Sequence, residues 1–449
     1  MRSFLLLKSF NFFNLLQLSS TFNFQLLTLI IILVHQNFYM ALNYIWIAFF
    51  IIGFLVALGK LIISGNTQIF NDLVNAVFDN AKVGFEISLG LTGALTLWMG
   101  LLRVGEKGGV VKILGRAMGP LFERLFPGLP KGHPAYGSIM LNIAANMLNL
   151  DNAATPVGLK AMKEMQEVNT DKETASNAQI MFLVLNAAGL TVIPVSVIVY
   201  RMQLGAANPA DIFIPILIST FFASITGLIG VAVMQKINLF DKVILAYLGG
   251  LTTIIIGIIL YFSSLPKEQV STISTFAANF ILILVITLFI VLALIKKVNV
   301  YNAFIEGAKE GFNIAIKIIP FLVAILVAIG IFRASGAMDF IISGITAFFA
   351  WLGFDTRFTG ALPVAFMKPL SGSGARGLMV DAMTTYGPDS FIGRLACTMQ
   401  GTTDTTFYII AVYFGSVGIK NTRYAVGCSL LADLVGLMTA ILVAYLFFG

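Results

Sequence analysis

Charge is what this sequence has least of. Only 11% of its 449 residues are Asp, Glu, Lys or Arg, and 58% belong to the apolar set AVILMFWYC, whereas a water-soluble domain carries about 25% charged residues. That scarcity excludes a surface wetted by water over its whole area. It also excludes the three or so soluble domains that the length alone would imply at about 150 residues each. Histidine is limited to His35 and His133, which supply no convincing base for a Ser or Cys nucleophile, and Walker A, HExxH and GxSxG sequences do not occur. No enzyme class, cofactor or metal is therefore expected. Cys397 and Cys428 are the only cysteines and lie far apart in apolar runs; they form neither a zinc spacing nor a CxxC redox pair and read as packing residues. Basic patches interleaved with exposed aromatics are missing, so nucleic acid is not an expected partner. The net charge of +7 bears instead on which loops face the cytoplasm.

What is present is apolar sequence in lengths that suit a bilayer. After Met40, runs of spanning length lie near 41–60, 85–102, 177–199, 211–235, 243–262, 275–295, 313–332, 390–414 and 424–448, nine expected spans. The segments 134–168 and 358–386 are too interrupted by Gly, Pro and Asn to be simple spans, and broken or re-entrant helices are expected there. Residues 109–126 place Val110, Ile113, Leu114, Leu121, Leu125 and Phe126 on one side and Lys112, Arg116, Glu123 and Arg124 on the other, the pattern of a basic helix lying on the membrane surface. Residues 1–39 contain a short apolar stretch, Leu26 to Val34, with no small-residue cleavage site after it. They read as upstream sequence or an unstructured leader, with Met40 as the expected start.

The chain repeats itself. Ala81-Lys82-Val83-Gly84-Phe85 returns as Ala308-Lys309-Glu310-Gly311-Phe312, and Gly100-Leu101-Leu102-Arg103 as Gly330-Ile331-Phe332-Arg333; Leu159-Lys160-Ala161-Met162 echoes Val380-Asp381-Ala382-Met383, and Gly205 with Asn208 echoes Gly418 with Asn421. Four echoes in one order define two related halves. Placing the basic segment 103–131 in the cytoplasm and alternating spans from there puts sixteen Lys and Arg after Met40 on that side and nine on the other. This count makes the halves inverted relative to each other, with 243–262 as the extra connecting span. The expected fold is an all-α polytopic membrane protein of two inverted-topology repeats with broken or re-entrant helices, a common transporter plan.

Residues 40–236, with GHPAYGSIMLNIAANMLNLDNAATPVGLKAM and LNAAGLTVIP, resemble the spore maturation A proteins. Residues 275–449, with FRASGAMD, MKPLSGSGARG and YGPDSFIGRLACTMQGTTDTTFYIIAVYFGSVGIK, resemble the spore maturation B proteins, and 237–274 connects the two. Both families belong to the nucleoside-recognition or Gate superfamily. The resemblance implies a multi-pass protein of the bacterial inner (plasma) membrane whose partners are the lipid bilayer and a small polar, nucleoside-like or envelope-related solute, with room for a homo-oligomer. It equally admits a non-transporting scaffold or regulator of envelope or spore maturation, or an ion channel. A and B are usually separate chains, so their fusion implies that they work as one complex.

Three polar segments are candidate sites. The first break carries Asn142, Asn146, Asn149, Asp151, Asn152 and Thr155, which either offer amides to a solute or cap broken helices and bind the bundle together. Ser371-Gly372-Ser373-Gly374-Ala375-Arg376-Gly377 fits GxGxxG in letters only; it follows Pro369 in an apolar segment, so a dinucleotide site is not expected, and Ser371 and Ser373 are taken as solute contacts or close-packing residues. Lys368 and Arg376 either add positive charge beside this segment or face the outer interface, the favoured reading of the two. The span 390–414 holds Gln400, Thr402, Thr403, Asp404, Thr405 and Thr406. A carboxylate at mid-membrane costs about 2.5–3.5 kcal/mol, so Asp404 is expected to face a wet cavity or a partner, with Asn186 and Thr191 as uncharged counterparts in the other half. Lys317 and Asp433 are expected to pair within the membrane.

Overall fold

The computed structural model describes residues 43–147 and 151–449; the side chains of residues 151–153, 267, 268 and 271 lie outside that description. Contacts divide the chain into Met1–Ile45 and Trp46–Gly449. Of the first unit only the opening turn of a helix falls among the described residues, and the second unit holds the remainder of the fold.

The described residues are helical, with one isolated backbone bridge between Thr174 and Asn421. Among the described residues seven helices are long and apolar enough to cross a membrane: α1 (Asn43–Ser64), α2 (Gln68–Gly108), α8 (Phe213–Gln235), α9 (Lys242–Ser263), α10 (Lys267–Ile295), α11 (Val300–Ala334) and α17 (Ala425–Phe448). Shorter helices fill the intervals. They are α3 (Val110–Leu125), α4 (Ala135–Met147), α5 (Asp151–Glu167), α6 (Asn177–Ala187) and α7 (Val195–Gln203) in the first half. In the second they are α12 (Ala337–Trp351), a 3-10 turn Arg357–Ala361, α13 (Leu362–Met367), α14 (Gly372–Tyr386), α15 (Phe391–Thr402) and α16 (Thr406–Ser416).

Seven spans therefore stand where the hydropathy pattern gives nine. Segments 177–199 and 390–414 are each two half-helices. In the first, Pro194 has no N–H to continue a ladder and disfavours helical geometry in the residue before it. The second break has no proline. There Thr403 is extended (φ −137°, ψ 173°), and the Asp404 side chain takes the Thr405 N–H at 2.7 Å, the local competition by which Asp and Thr interrupt helices. The span expected at 85–102 is also longer than its apolar core, because α2 runs for 41 residues.

The segments 134–168 and 358–386 fold back on themselves. Asn142 on α4 donates to the Ala154 carbonyl on α5 at 2.8 Å, which holds the two arms side by side. In the second half Ser371 accepts the Gly374 N–H at 3.0 Å and starts α14 directly after α13. Helix α3 presents Arg116, Glu123 and Arg124 to the outside while Leu121, Phe122 and Leu125 are buried.

The repeat-related helices α2 and α11 pack antiparallel. Cβ positions built on Gly84 and Gly100 of α2 would meet Val323 and Phe304, and those on Gly311 and Gly330 of α11 would meet Leu95 and Asn80. Gly84 corresponds to Gly311 and Gly100 to Gly330 in the sequence repeat, so each helix offers the other its two equivalent glycines. Small residues let membrane helices approach to backbone contact. At the centre α8 and α17 close in the same way, with Gly227 against Ala432 and Gly436 against Ala223. Ile254 and Leu260 on α9 and Ile283 and Ile295 on α10 remain exposed, as faces turned to lipid tails would be.

Candidate functional site

The two broken helices run side by side in opposite directions. At one end the start of α6 meets the loop after α16: the Ala175 N–H donates to the Asn421 carbonyl at 2.9 Å, and Lys420 Nζ lies 2.6 Å from Glu173 Oε1. At the other end α7 meets the start of α15. Arg201, with no exposed surface, lies 2.9 Å from Asp211 and 3.0 Å from Asp389 and donates to the Pro388 carbonyl at 2.6 Å. Arg394 reaches the other oxygen of Asp211 at 2.8 Å. This reciprocal arrangement sets the two breaks, residues 188–194 and 403–405, opposite each other.

Breaking a helix in an apolar surround frees backbone groups that must find partners. The Val192 N–H donates to the Met147 carbonyl at the end of α4 (2.9 Å), and the Phe407 N–H to the Pro369 carbonyl between α13 and α14 (3.2 Å). Each break is thus tied to the hairpin of its own half. At the breaks themselves the Asp404 N–H crosses to the other half and donates to the Ala187 carbonyl at 2.8 Å.

Between these breaks lies a polar cavity of about 110 Å³ lined by Asn146, Asn186, Gly189, Thr191, Pro194, Ser196, Val197, Lys368, Arg376, Gln400, Gly401, Thr403 and Asp404. Both halves contribute. Of the residues taken from the sequence as solute contacts, Asn146, Asn186, Gln400, Thr403 and Asp404 come together here.

The others are placed elsewhere. Thr402 is fully buried and its hydroxyl donates to the Thr398 carbonyl at 2.6 Å. Ser371 caps α14, with Ser373 Oγ 3.3 Å from its own oxygen, and Thr155 is half-buried on α5; none of these three is in the cavity wall. Asn149 lies outside the described residues, as do the side chains of Asp151 and Asn152.

Part of the amide cluster is occupied with itself. Asn146 Nδ2 donates to Asn186 Oδ1 at 2.6 Å, Tyr413 Oη reaches the same oxygen at 3.3 Å, and Asn142 Nδ2 is 3.2 Å from Tyr413 Oη. Each such bond in a membrane interior contributes about 0.6–2 kcal/mol, so these groups serve the bundle whatever else they touch.

Two expectations need correction. Lys368 and Arg376 do not sit at an outer interface but in the cavity wall, and Lys368 is only 5% exposed; the α13–α14 hairpin carries them inward against the broken helices. Asp433 does not pair with Lys317, which is exposed on α11; it is buried on α17 and accepts the Thr406 hydroxyl at 2.6 Å. Ser196, also in the wall, is absent from the sequence-based candidates, and Thr191 enters them only as an uncharged counterpart of Asp404. A polar residue within a few positions of Pro194 marks them, since a break leaves its neighbours facing the gap.

The nucleoside-recognition model of protein families matches residues 88–207 and 315–420, which carry the broken helices of both halves. The chain is similar to spore maturation protein B of Bacillus subtilis, 50% identical over 155 residues that make up 34% of this chain and 85% of that protein. It is also similar to spore maturation protein A of the same organism, 38% identical over 187 residues, 42% of this chain and 92% of that protein. No solved structure matches it. With seven apolar helices of spanning length and both family segments arranged around one polar cavity, the chain belongs to the nucleoside-recognition family of multi-pass membrane proteins, together with the spore maturation A and B proteins.

Proposed function

We propose that this protein is a carrier for a small polar solute in the bacterial inner membrane, with the solute bound between two inverted halves and no chemical conversion of it. The observation that carries this reading is the cavity, because its wall draws on the breaks of both halves and on both hairpins. Broken helices meeting at a polar site are the device by which many carriers hold solute at mid-depth. The antiparallel packing of α2 on α11 through repeat-equivalent glycines supports the inversion. A scaffold for envelope or spore maturation is the second reading, favoured by the names of the two relatives and by the self-satisfied bonds among Asn142, Asn146, Asn186 and Tyr413.

Counterflow into liposomes containing the purified full chain separates the two, with radiolabelled uridine, glutamate and phosphate as probes. Saturable exchange of at least one probe is expected, reduced at least tenfold by Asp404→Asn in protein that still inserts and unfolds at an unchanged midpoint. Exchange of none of them would leave the scaffold.

A further inference from the structure

The two breaks differ in charge at one equivalent point. Asp404 stands just ahead of α16 and its Oδ1 accepts the Thr405 N–H at 2.7 Å, so a carboxylate complements the partial positive charge that gathers at a helix start. The start of α7 also faces the cavity, through Pro194, Ser196 and Val197. Yet the break before it, Gly189-Leu190-Thr191-Val192-Ile193, brings no carboxylate.

Two cations line the same space. Lys368 comes from the end of α13 and Arg376 from α14, and the Arg376 guanidinium is held 5.8 Å from the ring centroid of Tyr200 on α7. Against them, among the described residues, the wall holds one carboxylate, Asp404, and behind it Asp433 takes the Thr406 hydroxyl. The described wall therefore sets two cationic side chains against one carboxylate. Gln400, only 7% exposed, also belongs to it, and its Oε1 is buried without a hydrogen-bond partner.

We propose that the cavity binds an anionic group of the solute, a carboxylate or phosphate, at the start of α7 beside Arg376 and Lys368, in the place that Asp404 takes at the start of α16. Helix starts and forked guanidinium donors both favour such groups. The volume agrees: about 110 Å³ is less than the roughly 150 Å³ that takes up benzene, room for a charged group and a few atoms but not for a whole nucleoside. That the anion is also transported rests on the carrier reading; that it binds does not.

Thermal unfolding of the full chain in detergent tests the binding, with sodium phosphate and sodium acetate as probes, sodium chloride at matched ionic strength as reference and uridine as a neutral solute. At least one of the two anions is expected to raise the midpoint steeply at low concentration and then only with the logarithm of its concentration, unlike general salt exclusion, which grows in proportion to concentration. Arg376→Gln should weaken that response about 10- to 100-fold, the loss expected of one charge-assisted hydrogen bond, and Arg376→Lys should restore part of it. Should Arg376→Gln fail to fold, Thr191→Asp provides the decision: a carboxylate placed before α7 should raise the midpoint without added anion and abolish the response. No logarithmic shift with either anion beyond the chloride reference overturns the proposal, as does a shift that Arg376→Gln and Thr191→Asp leave unchanged. Anion binding without counterflow would remove the carrier and keep this site; counterflow of uridine with no anion response would do the reverse.

Discussion

The paired broken helices are closed at their two ends by different chemistry. At the α7 and α15 end, Arg201 and Asp211 are essentially without exposed side-chain surface (0% and 3%), and Arg394, Asp389 and the Pro388 and Pro209 carbonyls complete their partners. At the α6 and α16 end, Glu173 and Lys420 are 66% and 74% exposed, and backbone bonds between Glu173, Ala175, Lys420 and Asn421 do the joining. Sequence-equivalent positions thus carry unequal locks. A buried, multiply bonded set of ions is costly to leave half-made, whereas an exposed pair is screened and contributes little. If the cavity opens alternately, the exposed end is the one that separates at lower cost, and the buried end holds the pair in register meanwhile.

The largest effect that would test this contrast is at Arg201. Arg201→Met removes a charge shared by two carboxylates and leaves the Pro388 carbonyl without its donor. A loss of about 3–5 kcal/mol is expected, as for other buried pairs broken on one side. It should appear as a fall in the denaturant midpoint of the purified protein and in the fraction that inserts. A change below about 1 kcal/mol, the size typical of exposed pairs, would erase the distinction between the two ends.

A second measurement sharpens the comparison by asking on which side of the membrane each end lies. Lys107 is at the end of α2, and Asp339 is in the first turn of α12, just past the end of the repeat-related α11; both side chains are substantially exposed. Cysteines replacing them should react with an impermeant maleimide from opposite faces in intact cells and inverted vesicles. Lys172→Cys, beside the exposed lock, should label with Lys107→Cys. Labelling of residues 107 and 339 from one face would remove the inverted relation, and with it the assignment of the two locks to opposite sides.

How much of the molecule is legible in the sequence depends on whether one local signal suffices. The apolar runs, the echo of Ala81 to Phe85 in Ala308 to Phe312, and the Asn- and Gly-rich interruptions are local, and they mark the helices, the repeat and the two hairpins. The break inside 177–199 is masked because LNAAGLTVIP is apolar enough to pass as a span, although Pro194 stands in view. That Lys368 and Arg376 turn inward depends on the fold-back of α13 on α14, a long-range fact absent from their neighbourhood, so the charge rule places them outside. The Arg201 cluster joins residues 183 to 188 positions apart; single Asp residues in loops and single Arg residues near helix ends give no sign of such pairing.

The smallest expected effect lies at the other lock. Glu173→Gln removes the ionic contact to Lys420 but keeps the Glu173 main-chain carbonyl that accepts the N–H groups of Lys420 and Asn421 at 2.8 and 2.9 Å. Since both side chains stand mostly in solvent, the pair should contribute no more than about 1 kcal/mol, and salt should reduce it further. The unfolding midpoint is therefore expected to move by a degree or two at most, with the difference from the unsubstituted protein fading at high salt. Counterflow, by contrast, should be unchanged or faster, because separating this end then has one less contact to break. A Glu173→Gln protein as unstable as Arg201→Met would show that the exposed end is also a rigid lock, and the easier opening would have to be sought elsewhere in the bundle.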